Sequence, residues 1–205
     1  MKFAKIAAIG RHRFELDGKG VRTLIVFCGC PLKCKYCINP YTWKAPNNSK
    51  TYTTGELLDK VSVDGIYFEA TNGGITFGGG EPLLQAEFIS DFIDIAPRTW
   101  NYNVETSLAV PFDNVQMLAN KVSKFVVDIK SLNEDTYYAY TGVSLSLAWD
   151  NLLKLKELIG VSKIQVRVPL IPGYADAESQ KRTVLELKYH GFEDIDVFTY
   201  KAEEM

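Results

Sequence analysis

Val21-Arg-Thr-Leu-Ile-Val-Phe27 runs into Cys28-Gly-Cys30-Pro-Leu-Lys-Cys34-Lys-Tyr36-Cys37, and this stretch decides how the chain is read. Residues 21–27 are mostly β-branched or apolar and follow Gly20, as expected of a buried strand. Three of the four cysteines fall in the loop after it, separated by three and then two residues. Such clustering points to a metal. Zinc usually takes a fourth nitrogen or sulfur ligand from a second Cys-x-x-Cys or a histidine pair. His12 and His190 are the only histidines, and neither sits in a ligand-spaced pair. A [4Fe-4S] cluster on three thiolates leaves one iron open to a small molecule. The spacing favours an iron–sulfur site, with a zinc knuckle or buried free thiols as the alternatives.

Outward from this stretch, strand and helix patterns alternate. Further strands are read at Gly74–Phe77, Tyr102–Thr106, Lys124–Lys130, Lys163–Leu170 and Ile195–Tyr200, and helices near 83–96, 112–121, 133–140, 147–159 and 176–190. Residues 1–20 read as irregular or a short hairpin turning at Asp17-Gly-Lys-Gly20, and 38–53 as a continued loop. Thr54 is a plausible N-cap for a helix from Gly55-Glu56. Six strands separated by helices imply a parallel sheet with right-handed crossovers. Eight would close a barrel, so the expectation is an open, partial (β/α)6 barrel with a parallel six-stranded sheet. No linker, low-complexity tract or repeat interrupts residues 1–205, which read as one domain with its cluster loop at 28–39.

A chain of 205 residues with 46% hydrophobic content can bury a core. No stretch reaches the ~18 apolar residues of a membrane span, and Ile6–Ile9 is too short for a signal peptide. A cytoplasmic protein is expected, where clustered thiols more often hold metal than form disulfides. The net charge of −2 hides an asymmetry, because residues 1–50 carry ten Lys or Arg against only Glu15 and Asp17. That positive charge either stabilises thiolates and steers an acidic electron donor, or belongs to scattered solvated lysines. Nucleic-acid binding is a poor fit, since no motif presents a helix or a stacking platform.

In parallel α/β sheets, ligands sit at the carboxyl ends of the strands. Polar residues collect there: the cysteines, Gly78-Gly79-Gly80-Glu81, Glu105-Thr106-Ser107, Asp128 and Lys130, and Lys201, with Arg167 inside the fifth strand. Consecutive glycines let a backbone approach a ligand closely, and Pro82 pre-sets the helix that follows.

Cys30-x3-Cys34-x-Tyr36-Cys37 and Gly79-Gly80-Glu81, joined by Asp17-Gly-x-Gly-x-Arg22, Gly73-Gly-Ile-Thr-Phe77, Val127-Asp-Ile-Lys130 and Arg167-Val-Pro-Leu-Ile-Pro-Gly-Tyr174, resemble the glycyl-radical-enzyme activating enzymes. These are radical S-adenosylmethionine (radical SAM) proteins of the pyruvate formate-lyase activating type. The similarity runs from about residue 9 to 201. It implies that Cys30, Cys34 and Cys37 hold a [4Fe-4S] cluster whose open iron binds S-adenosyl-L-methionine. Reductive cleavage of that cofactor would yield a radical that takes a hydrogen atom from a glycine of a partner glycyl radical enzyme. It further implies Tyr36 and Ile38 near the adenine, Gly79, Gly80 and Glu81 at the amino group, and Lys130, Arg167 and Lys201 at polar parts of the cofactor. Glu105, Thr106 and Asp128 would line a monovalent-cation position. Flavodoxin or ferredoxin would donate the electron, and the enzyme would act as a monomer.

The chain departs from the family at several points. Ile38 and Lys201 replace frequent histidines, Lys19 a proline, Gly78 a serine and Glu105 a shorter carboxylate, while Cys28 reads as a small buried side chain. No further cysteines remain for a second cluster. The helix that follows the sixth strand in longer relatives is not expected here, and a cut-down barrel would leave a wider opening, suited to a protein substrate that inserts a loop. A radical SAM enzyme acting on a small molecule is the runner-up, and a non-catalytic zinc or iron–sulfur interaction protein is the alternative of another class.

Overall fold

The structure, a computed structural model, describes residues 2–200. Its strands are β1 (Phe3–Phe14), β2 (Val21–Phe27), β3 (Lys50–Thr53), β4 (Gly74–Gly79), β5 (Asn101–Thr106), β6 (Lys124–Asp128), β7 (Ile164–Leu170) and β8 (Ile195–Thr199). They form one sheet in the order β3-β1-β2-β4-β5-β6-β7-β8. From β2 to β8 every pairing is parallel, and these are the six strands read from sequence. The sheet has eight strands, however, because β1 and β3 add an antiparallel flank. The helices are α1 (Thr54–Val61), α2 (Gly65–Thr71), α3 (Ala86–Ile95), α4 (Phe112–Ala119), α5 (Glu134–Thr141), α6 (Ser146–Ile159) and α7 (Ala177–Tyr189). Among the described residues, no helix is long and apolar enough to cross a membrane.

The alternation of side chains along each strand separates two faces. Ile25, Phe27, Ile75, Phe77, Val104, Phe125, Val127, Val166 and Val168 pack in the core that includes helix residues such as Phe92, Leu118 and Leu155. Arg22, Thr76, Gly78, Asn103, Glu105, Asp128 and Arg167 occupy the intervening positions and therefore the opposite face. Parallel pairing places Asp128 opposite Arg167 and Arg167 opposite Asp196. A polar stripe thus crosses the inner face of the open barrel.

Of the two readings of residues 1–20, irregular chain or a short hairpin turning at 17–20, the structure has a hairpin, longer than expected, whose first arm is the twelve-residue β1. Its register against β2 shifts between Ile6 and Ala8 and again between Gly10 and Arg13. Such bulges break the period of two by which a strand is recognised. The second one turns Arg11 and His12 onto Asp64, which is fully buried and accepts from Arg11 Nε (2.9 Å) and Thr23 Oγ1 (2.8 Å), with His12 Nε2 3.0 Å from its Oδ1. The turn at residues 17–20 closes the amino-terminal end of the inner face. Its Asp17 carbonyl accepts from Thr76 Oγ1 (2.9 Å) and Asn103 Nδ2 (3.2 Å). Gly18 is required there, since its φ is +125° and a Cβ would meet Asn103 Nδ2 at 2.4 Å. The loop expected over 38–53 likewise contains β3. Thr53, one residue earlier than expected, caps α1 in a reciprocal capping box with Glu56.

Candidate active site

The cysteine loop leaves the carboxyl end of β2 and is pinned on two sides. The N–H groups of Lys33 and Lys35 donate to the carbonyls of Thr141 (2.8 Å) and Tyr140 (3.1 Å). Those carbonyls belong to the last turn of α5, where a helix has no internal partners to offer. On the other side, Gly80 N–H donates to Phe27 O (3.0 Å) and Glu81 N–H to Gly29 O (2.7 Å). The cysteine loop and the glycine turn are therefore one backbone assembly. Gly80 permits it, because a Cβ there would lie 2.1 Å from Gly29 O.

Glu81 anchors that assembly from inside. It is buried, and Oε1 accepts from Leu83 N–H (3.1 Å) and Thr106 Oγ1 (2.7 Å) while Oε2 accepts from Ser107 N–H (2.9 Å) and Ser107 Oγ (2.7 Å). Burial pushes its carboxyl up, and the Ser107 and Thr106 donors pull the other way. Four protein donors fill its oxygens. The backbone of Glu81 thus faces the loop, and its carboxylate serves the fold.

Cys30, Cys34 and Cys37 are half-buried free thiols, and Cys28 is buried, as its sequence context suggested. Burial pushes the Cys30 thiol up to about 12, and burial, partly offset by Lys130, pushes Cys34 up to about 11. Such thiols give up their protons only when a cation replaces them. Cys30 and Cys34 pack against Leu32, Ala109, Tyr137, Leu145 and Ala148, and Cys34 also touches a second cluster around Tyr140, Ile171 and Ala175. Among the described residues, no three His, Cys, Asp or Glu side chains converge as one metal ion would need.

The remaining expected residues divide. Lys130 is buried and donates to Asp128 Oδ2 (3.0 Å) and Tyr200 OH (3.2 Å). Burial alone would lower its pKa, but Asp128 and its other neighbours raise it, so the ammonium stays charged. Arg167 has Nε 3.7 Å from Asp128 Oδ1 and 3.8 Å from Asp196 Oδ2, with Nη1 4.0 Å from Glu105 Oε1. Asp128 Oδ1 and Arg167 Nε are nonetheless buried without a hydrogen-bond partner. Two unfulfilled polar atoms, one at the end of β6 and one inside β7, leave room for a polar partner. Glu105 faces the same side and is pushed up to about 7 by burial, then by Asp17. Thr106, next along β5, turns its hydroxyl away to Glu81. Tyr36 packs edge-on to Tyr140 and Tyr174, whereas Ile38 is 78% exposed. Lys201 lies outside the described residues.

Residues 24–181 match the family model described as the radical SAM superfamily. The chain belongs to the radical SAM superfamily. It is 33% identical to the pyruvate formate-lyase-activating enzyme of Clostridium pasteurianum over 84% of this chain and 71% of that enzyme. With the enzyme of that name from Staphylococcus aureus (strain USA300) it shares 30% identity over 78% of this chain and 66% of the relative. The matched region thus spans about two thirds of that relative's length. SuiB of Streptococcus suis, solved bound to S-adenosylmethionine, shares the fold: its TM-score is 0.63 at 15% identity, over 85% of this chain and 39% of SuiB.

Radical SAM enzymes use a [4Fe-4S] cluster and S-adenosylmethionine, and the donors here suit both. Three free thiols share one loop, with Cys30 and Cys34 packed against the same apolar cluster, and their number matches three cluster ligands. The glycine turn presents backbone beside them, and Asp128 Oδ1 and Arg167 Nε, 3.7 Å apart, are buried without hydrogen-bond partners. Sequence reasoning passed over Tyr137, Tyr140 and Tyr200. The Tyr137/Tyr140 pair, three residues apart on α5 and so on one face, was the available signal.

Proposed function

We propose that this radical SAM enzyme is a glycyl-radical-enzyme activating enzyme. The observation that carries the reading is the backbone assembly in which Glu81 N–H meets Gly29 O at 2.7 Å. It seats the three-cysteine loop and the glycine turn side by side at the carboxyl ends of the strands. The named relatives supply the choice of target class. Cys30, Cys34 and Cys37 would hold a cluster that, with S-adenosylmethionine bound beside the glycine turn, would supply one-electron reductive cleavage of the cofactor and so the power to abstract a hydrogen atom from a glycine of the partner enzyme.

The chain's own residues hold and shield these groups. Cys30, Cys34 and Cys37 ligate three irons, and the Gly79–Gly80 backbone and Glu81 backbone receive the amino group. Tyr36 and Ile38 flank the adenine, and Lys130 and Arg167 meet the cofactor's polar groups. Glu105 and Asp128 share the inner face and supply the negative charge for a monovalent cation, to which Thr106 offers its backbone. A flavodoxin or ferredoxin supplies the electron. The open inner face suits a protein loop as substrate.

The test is anaerobic reconstitution with iron and sulfide, followed by reduction and electron paramagnetic resonance with and without S-adenosylmethionine. A cluster signal that shifts with the cofactor, 5′-deoxyadenosine, and a glycyl radical on an added glycyl radical enzyme are expected. Deoxyadenosine with no glycyl radical on any such partner would favour a small-molecule substrate.

A further inference from the structure

Two buried hydroxyls beside the cysteines have no work in the mechanism above. Tyr137 and Tyr140 are both fully buried, and in neither does the phenolic oxygen find a hydrogen-bond partner. A buried unmade hydrogen bond is costly, so such a group calls for a partner that arrives later. Tyr137 is the better placed of the two, since Cys30 and Cys34 pack against the apolar cluster to which it belongs.

Besides its burial, the titratable neighbours that act most on the Tyr137 phenol are Cys34, Lys130, Glu81 and Cys30. Lys130 has only hydrogens to offer. Glu81 already accepts two hydrogen bonds on each oxygen. No cysteine sulfur is itself a partner of this hydroxyl, so the sulfurs of whatever Cys30 and Cys34 ligate are the acceptors that would arrive beside it.

We propose that Tyr137 donates its O–H to a sulfur of the iron–sulfur centre held at Cys30 and Cys34, and so sets its reduction potential. The inference rests on the cluster assignment made above. Hydrogen bonds to cluster sulfurs stabilise the more negative, reduced state and raise the potential. α5 is well built for this duty, because its last carbonyls are tied to the Lys33 and Lys35 amides, which fixes the tyrosine relative to the loop.

The test compares wild type with Tyr137→Phe, which removes one oxygen and keeps the ring. Tyr138→Phe, on the same helix at a residue 59% exposed, serves as control. Each is reconstituted anaerobically and titrated potentiometrically, with the cluster's paramagnetic signal as readout. The expected result is a lower potential in Tyr137→Phe by about tenfold in the reduction equilibrium, which is about 59 mV for one electron, and no change in Tyr138→Phe. Equal potentials in wild type and Tyr137→Phe overturn the inference while leaving the cluster assignment standing. A wild type that takes up no cluster overturns both. If Tyr137→Phe fails to load, Tyr137→His, which keeps a ring N–H donor, is expected to restore loading, and its failure to do so overturns the inference.

Discussion

Glu105 shows how one residue couples the inner face to pH. Its carboxyl lies near 7, raised by burial and then by Asp17, against an ordinary value near 4.5. A raised folded pKa means that the native state holds a proton which the unfolded chain releases. Stability is therefore greatest below about pH 4.5 from this group and declines as pH rises to about 7. Glu105→Gln removes the titration. Urea unfolding of the apoprotein from pH 4.5 to 7 is expected to show the variant gaining on wild type by ~1–3 kcal/mol, with no further gain above pH 7. Parallel profiles would show that Glu105 ionises freely in the fold. Its neighbour Thr106 illustrates the same scale, since the pleat sends two adjacent side chains to opposite faces. The family resemblance grouped Glu105 with Thr106. The backbone separates their side chains.

At the scale of elements, the site depends on loops that share hydrogen bonds. The cysteine loop borrows the last carbonyls of α5 on one side and lends Gly29 O to the glycine turn on the other. Gly80→Ala places a methyl where Gly29 O stands, and the obstacle is backbone that a rotamer change cannot clear. The Gly80 and Glu81 bonds must then break, at about 1–3 kcal/mol of lost stability. After reconstitution the variant is expected to hold less than about half the wild-type iron, because its thiols are no longer seated together. Iron and sulfide assays with a parallel thermal melt check this. Full iron content at unchanged stability would show that the two loops hold their places independently. α1 offers a milder contrast, since its Thr53–Glu56 capping box is exposed and remote from the site.

Across the whole molecule, charge is segregated. Residues 18–55 include no Asp or Glu but carry Lys19, Arg22, Lys33, Lys35, Lys44 and Lys50. Of these, Lys33, Lys35 and Lys44 are exposed on or just after the cysteine loop, with Lys33 Nζ 4.8 Å from the centroid of the Trp43 ring. Arg22 is the exception, buried on Thr76 Oγ1, Ile75 O and Asn101 O. An exposed positive rim beside a redox site speeds encounter with an acidic donor in a manner that salt screens. Reduction by an acidic flavodoxin in stopped flow is expected to slow roughly tenfold between low and high ionic strength. The double variant Lys33→Glu, Lys35→Glu should start slower and converge with wild type at high salt. Rates indifferent to salt would assign these lysines to solvation alone.

The amino-acid sequence by itself determined the six parallel strands, the helices between them, the three-cysteine loop and the glycine turn. Buried strands, glycines and clustered thiols are recorded locally, in residue type and spacing. Tertiary structure alone decided the rest. β1 escaped full notice because two bulges erase the period of two, and β3 because it is short and pairs with β1 more than forty residues away in the chain. The inward turn of Glu81 depends on Thr106 and Ser107, contributed by the end of another strand. Tyr137 gains its place beside the cysteines because α5 packs on their loop. A motif names the atoms that can react, but burial and hydrogen-bond partners come from segments distant in sequence, and only folding brings them together.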